Sequence, residues 1–252
     1  MSRPKVVLIV GAGAGIGGSV AKRFAAGGYH VCLCRRSNQK ALMEAVTDIR
    51  ASGGAASGFL LDAAKPKYIE DLVADIETKV GTIDVAVYNL GAQIGNRSLM
   101  DTTHKQFELG WRLGTLGLFR LAKSLLPPMA KRGYGTLLVT SSTAGVRGNA
   151  GQHSHASAMG GRRMLCQSLN AEYKNIHVAH IIVDGPVDAP DTLGKMLGED
   201  NFEAFKASRL LISPKAVAET YWHLANQPPS CWTFELDLRS QDDRPWWNTS
   251  KL

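Results

Sequence analysis

The sequence predicts an α/β architecture: a doubly wound parallel sheet of about seven strands with helices on both faces. Three observations carry this expectation. Short apolar segments alternate with longer amphipathic ones from residue 6 onward, a glycine-rich turn (Gly11-Ala12-Gly13-Ala14-Gly15-Ile16-Gly17-Gly18) separates the first pair, and no repeat or linker divides the 252 residues. A chain of this length buries a sizeable core without disulfide or metal staples, so residues 1–252 read as one domain.

Strands are expected at 6–10, 30–34, 57–61, 85–88, 136–141, 177–183 and 233–238, most of them rich in Val, Ile or Leu as in a sheet covered on both faces. Seven such strands make a full Rossmann-type sheet. Between them, 17–26, 40–51, 68–80, 107–129 and 155–173 carry apolar residues at helical spacing. A helix over 214–226 is announced by Ser213-Pro214, a capping residue followed by proline at the first helical position. Residues 189–212, with Pro190, Gly194 and Gly198, have weaker periodicity and read as a mobile segment on the substrate side.

Composition narrows the function classes. Hydrophobic residues make up 44% and charged residues 20%, and the longest apolar runs fall far short of a membrane span. The formal charge of +7 suits a polyanionic ligand, but the basic doublets Arg35-Arg36, Lys131-Arg132 and Arg162-Arg163 lie far apart and form no nucleic-acid stripe. The four cysteines, Cys32, Cys34, Cys166 and Cys231, have no CxxC or Cys/His zinc spacing and read as buried, reduced thiols. His153-x-His155 lacks a third ligand nearby, so no metal is expected.

Met1-Ser2-Arg3-Pro4-Lys5 runs straight into an apolar segment and has neither the length nor the cleavage site of a signal peptide. The last three residues, Ser250-Lys251-Leu252, match the tripeptide read by the peroxisomal import receptor. The expected location is a peroxisome or glycosome-type peroxisome, or the cytoplasm where the tripeptide is not read.

The glycine-rich turn follows a strand and opens a helix, the context in which backbone N–H groups and the helix dipole hold a pyrophosphate. Two registers fit: Gly13-x-Gly15-x-x-Gly18, and Gly11-x-x-x-Gly15-x-Gly17, which is preferred because its first glycine sits at the strand end. About 20 residues on, an acidic residue would hydrogen-bond the ribose 2′-hydroxyl of NAD. Arg35-Arg36 stands there instead, which favours the 2′-phosphate of NADP; the plainer alternative is solvated loop charge.

Taken together, these segments resemble the short-chain dehydrogenase/reductase family, over essentially the whole chain. Gly11, Gly13, Gly15, Ile16 and Gly17 resemble its TGxxxGIG turn, and Asp62 resembles the aspartate that meets adenine. Tyr88-Asn89-Leu90-Gly91 resembles NNAG, with Asn89 and Gly91 as cofactor contacts, and Gly185 and Val187 fall in a segment that resembles the PG loop beside the nicotinamide. The resemblance implies an oxidoreductase that binds NADP, acts on a small molecule and assembles as a dimer or tetramer.

The resemblance also implies an Asn-Ser-Tyr-Lys catalytic set, and this sequence departs from it. Ser142 matches the serine, but His155 stands in the tyrosine position, Met159 in the lysine position and Gly114 in the asparagine position. Methionine neither lowers a neighbour's pKa nor hydrogen-bonds a ribose. One reading makes His155 the proton donor, since an ordinary imidazole titrates near pH ~6.5, with Ser142 holding the reacting oxygen. The other has His155 only filling space.

Three functions therefore stay open: an NADP-dependent oxidoreductase with an atypical site acting on a carbonyl or enoyl group, acyl-CoA esters included; a silent NADP-binding or scaffold subunit; and a non-redox isomerase or cyclase. Trp246-Trp247 reads as interface or core packing.

Overall fold

β1 (Val6–Val10), β2 (His30–Arg35), β3 (Ala55–Leu60), β4 (Ile83–Tyr88), β5 (Thr136–Ser142), β6 (His177–Val183) and β7 (Glu235–Leu238) pair in parallel in the order β3-β2-β1-β4-β5-β6-β7. This is a computed structural model, and it describes residues 3–91 and 95–248; the tripeptide 250–252 lies outside the described residues. The helices are α1 (Ile16–Ala26), α2 (Gln39–Ala51), α3 (Tyr68–Lys79), α4 (His104–Trp111), α5 (Gly117–Arg132), α6 (His153–Glu172), α7 (Lys195–Leu197), α8 (Glu199–Ala207) and α9 (Pro214–Ala225).

Alternation along β1 shows how the sheet organises two cores. Val6, Leu8 and Val10 point into a cluster with Ile69, Leu118, Leu125 and Cys166, from α3, α5 and α6. Val7 and Ile9 point the other way, into a cluster with Phe24, Leu42, Val46 and Tyr221, from α1, α2 and α9. All five residues of β1 are buried, as a central strand sandwiched by helices must be.

From β1 the chain winds outward to β3, then crosses back to β4 on the other side of β1. The order reverses at this point, and a crevice opens outside the carboxyl ends of β1 and β4 where helices diverge to opposite faces.

Two segments differ from the sequence reading. The helix expected over 107–129 is divided: Thr103 and Gln106 form a reciprocal capping box that starts α4 earlier, and a π turn at Arg112–Leu116 intervenes before α5. The π turn is tied to α6 by side chains, with Thr115 Oγ1 donating to the Ala158 carbonyl at 2.7 Å, a tertiary contact that periodicity does not encode. Residues 189–212, read as a mobile segment and given no helix, hold a π turn at Pro190–Gly194 followed by α7 and α8, with Phe202 buried and a parallel bridge between Val187 and Ile212 at the base.

Cys32, Cys34 and Cys166 are buried thiols, and desolvation pushes Cys32 and Cys166 up to about 12, well away from thiolate chemistry. Cys231 departs from expectation, being exposed in the turn before β7. No described helix is long and apolar enough to cross a membrane.

Candidate active site

Gly11 ends β1 with φ +100, a left-handed conformation that favours glycine, and a Cβ there would lie 2.6 Å from the Asn89 carbonyl oxygen. Its N–H donates to Cys34 O at 3.1 Å and its carbonyl accepts from Asn89 Nδ2 at 2.9 Å, so the turn is fastened to the ends of β2 and β4. Gly17 packs directly on the Gly11 backbone, leaving no room for a Cβ. These contacts favour the register Gly11-x-x-x-Gly15-x-Gly17, although Gly18 also abuts Gly13, 2.5 Å from its carbonyl oxygen.

The turn delivers the N-terminus of α1 to the crevice. Gly15 caps that helix without any side-chain hydrogen bond, and no acidic residue stands in its first turn. The leading N–H groups and the positive end of the dipole are thus available to an anion. A Cβ built on Gly13 would touch nothing, so the floor is open where a ligand would approach. This donor set fits a dinucleotide pyrophosphate.

A cleft of about 380 Å³ lies over this floor, and its walls include Gly11, Gly13, Gly15, Ile16, Gly17, Arg35, Arg36, Asn89 and Val187. Arg35 is half-buried at the end of β2 and Arg36 exposed beyond it. Ala189 and Thr192 also line the cleft and were not anticipated; no sequence pattern marks them, since the folding-back of residues 189–194 brings them there.

Three expected contacts do not line this cleft. Asp62 closes the turn after β3, its carboxylate accepting from Ala64 N at 3.2 Å. Gly91 is exposed. Gly185, with φ +146, packs against Ile212 and Asp243, where a Cβ would come within 2.8 Å of the Asp243 carboxylate.

Ser142 and His155 come together one strand away. Ser142 ends β5, beside β4, and His155 sits in the first turn of α6, with 3.0 Å between Ser142 Oγ and His155 Nε2. His155 is buried and Ser142 half-buried; neither lines the cleft. Met159, one turn along α6, is buried with Ala144 and Ala158, its sulfur 3.8 Å from Ser141 Oγ.

Tyr88 anchors the π turn. It is fully buried, its hydroxyl donates to Leu113 O at 2.5 Å, and desolvation raises it above the ordinary tyrosine range. His153 likewise is not joined to a metal set: among the described residues no group of three His, Cys, Asp or Glu side chains could hold an ion. The C-terminal segment reaches the same end of the sheet, where Trp246 N donates to Asp184 at 2.9 Å and Arg147 donates to Trp246 O at 3.2 Å. The Trp246 and Trp247 rings meet edge to face.

One residue was missed altogether. Arg162, on α6 and 1% exposed, donates through its guanidinium to three backbone carbonyls, those of Gly114, Leu90 and Thr140. In sequence it is half of a basic doublet, and only its place on the His155 face of the helix hints at the interior.

Comparison with known proteins agrees with this architecture. The family model described as short chain dehydrogenase matches residues 5–199. The short-chain reductase protein NovJ of Streptomyces niveus is 31% identical over 229 residues, 87% of this chain and 86% of that protein. A short-chain dehydrogenase from Rhodopseudomonas palustris superposes with a TM-score of 0.79 at 32% identity, covering 94% of this chain and 99% of the other. Actinorhodin polyketide ketoreductase, solved with NADPH, gives a TM-score of 0.83 at 25% identity over 94% of this chain and 97% of its own. With the glycine turn, the strand order and these matches all in agreement, the chain belongs to the short-chain dehydrogenase family.

Proposed function

We propose that this oxidoreductase is NADPH-dependent and reduces a carbonyl group through Ser142 and His155 in place of a tyrosine and lysine pair. The single observation that carries the reading is the 3.0 Å approach of Ser142 Oγ to His155 Nε2 at the end of β5, beside the strand whose end walls the cleft. Arg35 and Arg36 at the end of β2 support the choice of a 2′-phosphorylated nucleotide, which the related ketoreductase binds in its solved complex.

The residues divide the work as follows. Gly11 to Gly17 and the N-terminus of α1 bind the pyrophosphate, and Arg35 and Arg36 meet the extra phosphate. The reduced nicotinamide supplies the hydride when bound. Ser142 holds the substrate oxygen by its hydroxyl; His155, acting as the imidazolium with both ring nitrogens protonated, gives its Nε2 proton to Ser142 Oγ as the serine proton passes to the oxygen where negative charge develops, and is left as neutral imidazole. A positioned acid of this kind contributes about 10²–10⁴ in rate.

A second reading, a silent NADPH-binding subunit, is favoured by the burial of Met159 where the family's lysine would stand. Mixing the purified protein with NADPH and a panel of ketones, aldehydes, 3-oxoacyl-CoA and enoyl-CoA esters separates the two. Oxidation of NADPH by at least one of them supports the enzyme; tight binding with no oxidation selects the silent subunit, and no binding of either coenzyme removes both.

Two further proposals accompany this one. The exposed Phe107, Trp111, Phe119 and Met164 on α4 to α6 support a homo-oligomer, which sedimentation would reveal. Ser250-Lys251-Leu252 supports peroxisomal import, and a fluorescent fusion that stays cytosolic with the tripeptide intact would refute it.

A further inference from the structure

Arg162 is a cation in the protein interior without a carboxylate partner among the described residues. Its three carbonyl acceptors come from three elements: Leu90 just beyond β4, Gly114 in the π turn, and Thr140 in β5, with Nε to Gly114 at 2.9 Å and Nη2 to Leu90 at 2.8 Å. The guanidinium also stands 5.1 Å from the centre of the buried Tyr88 ring. A buried charge is costly unless its donors are satisfied, and carbonyl dipoles and an aromatic face do so here in place of a counter-ion.

The acceptors are not arbitrary. Leu90 lies between Asn89, which walls the cleft, and Gly91. Thr140 lies two residues before Ser142 on the same strand. Gly114 belongs to the turn that Tyr88 also fastens through Leu113. Arg162 follows His155 by seven residues, two helical turns, so both lie on the stripe of α6 that faces the sheet.

Resting on the reading that cleft and pair form one site, we propose that Arg162 is its positioning residue. The guanidinium fork fixes the ends of β4 and β5 in one frame, so that a nucleotide held at Asn89 and a substrate held at Ser142 meet in register. Lysine matches this role only in part, because a single ammonium cannot span three carbonyls as a planar fork does.

The test compares the parent with Arg162→Met and Arg162→Lys by thermal melting, calorimetry with NADPH, steady-state kinetics and amide hydrogen exchange of the protein without nucleotide. Arg162→Met is expected to lose about 10²-fold in kcat while its NADPH Kd shifts less than about threefold, a misplacement effect rather than a binding one. Arg162→Lys is expected to recover to within about tenfold of the parent. Amides 88–91 and 140–142 should exchange faster in both, with the methionine variant the more affected.

A folded Arg162→Met protein with parental kcat, or with unchanged protection at those amides, overturns the proposal. Should that variant not fold, Arg162→Lys decides: parental exchange and parental kcat overturn it, whereas reduced kcat at unchanged Kd supports it. The exchange measurement is independent of turnover. A parent that binds no NADPH defeats the functional reading and leaves the exchange result to judge the clamp.

Discussion

The crevice over β1 and the pair beyond β5 are built from different parts of the chain. The first is made of backbone: the N–H groups that begin α1 face the cleft, and Gly11, Gly13 and Gly17 contribute by lacking side chains. The second is made of side chains: the Ser142 hydroxyl, the His155 imidazole and, behind them, the Arg162 guanidinium. Backbone sites admit little substitution, because a Cβ at Gly11 or Gly17 collides with neighbouring backbone. Side-chain sites admit replacement whenever another group reaches the same atom, and this chain has His155 and Met159 at the positions that match the family's tyrosine and lysine.

That contrast can be broken most forcefully at Gly17. With Gly17→Val the new side chain meets the Gly11 carbonyl and the Ala12 backbone, so NADPH affinity should fall more than about 10²-fold and the melting temperature with it. Calorimetry showing parental affinity would mean the turn is not the binding element.

His155→Phe should instead spare the cleft. The expected result is a loss of about 10²–10⁴ in kcat with parental NADPH Kd, read by steady-state kinetics and calorimetry together. Parental turnover would return His155 to a packing role.

The first site was the more legible one in the sequence, and the reason is physical. Glycines between a strand end and a helix mark a tight turn, so Gly11 to Gly17 could be located from their order, although two registers fitted it. Strand identities followed from short Val-, Ile- and Leu-rich runs, while their ends moved by one or two residues, as for β3 and β4. The partnership of Ser142 with His155 depends on β5 and α6 meeting in space, and sequence offers only the two residue types at a family spacing. Arg162 was invisible because a basic doublet on a helix ordinarily faces water. The π turn that splits α4 from α5 was equally hidden, since it is imposed by Thr115 and Gly114 bonding across to α6.

A smaller effect sharpens the nucleotide assignment. Replacing both Arg35 and Arg36 with Ala should weaken NADPH about 10- to 100-fold and leave NADH within about threefold, because only the former carries the extra phosphate. Equal loss of both coenzymes would place the arginines on the shared pyrophosphate instead.

The smallest expected effect concerns neither site, but the β6–β7 edge that supports the second. His180 is buried, and desolvation pushes its pKa down to about 4 despite the attraction of Glu235, whose carboxylate is 2.9 Å from Nδ1 and is also paired with Arg163. The fold therefore holds His180 neutral, while the unfolded chain protonates it below pH ~6.5. Stability from this residue is complete above that value and is lost as pH falls toward 4, on the order of 1–3 kcal/mol. Melting curves from pH 7 to 4.5 should show the decline, and His180→Gln should flatten it; an unchanged slope would assign the acid sensitivity to other groups.

The bridge between Val187 and Ile212 closes the base of the excursion that carries α7 and α8. With Asp188 N donating to Ile212 O at 3.0 Å and Ile212 N to Pro186 O at 2.8 Å, the two ends of the excursion are joined by backbone alone. Because Ala189 and Thr192 at its start line the cleft, a chimera that exchanged this stretch would reshape that wall while leaving the sheet beneath in place.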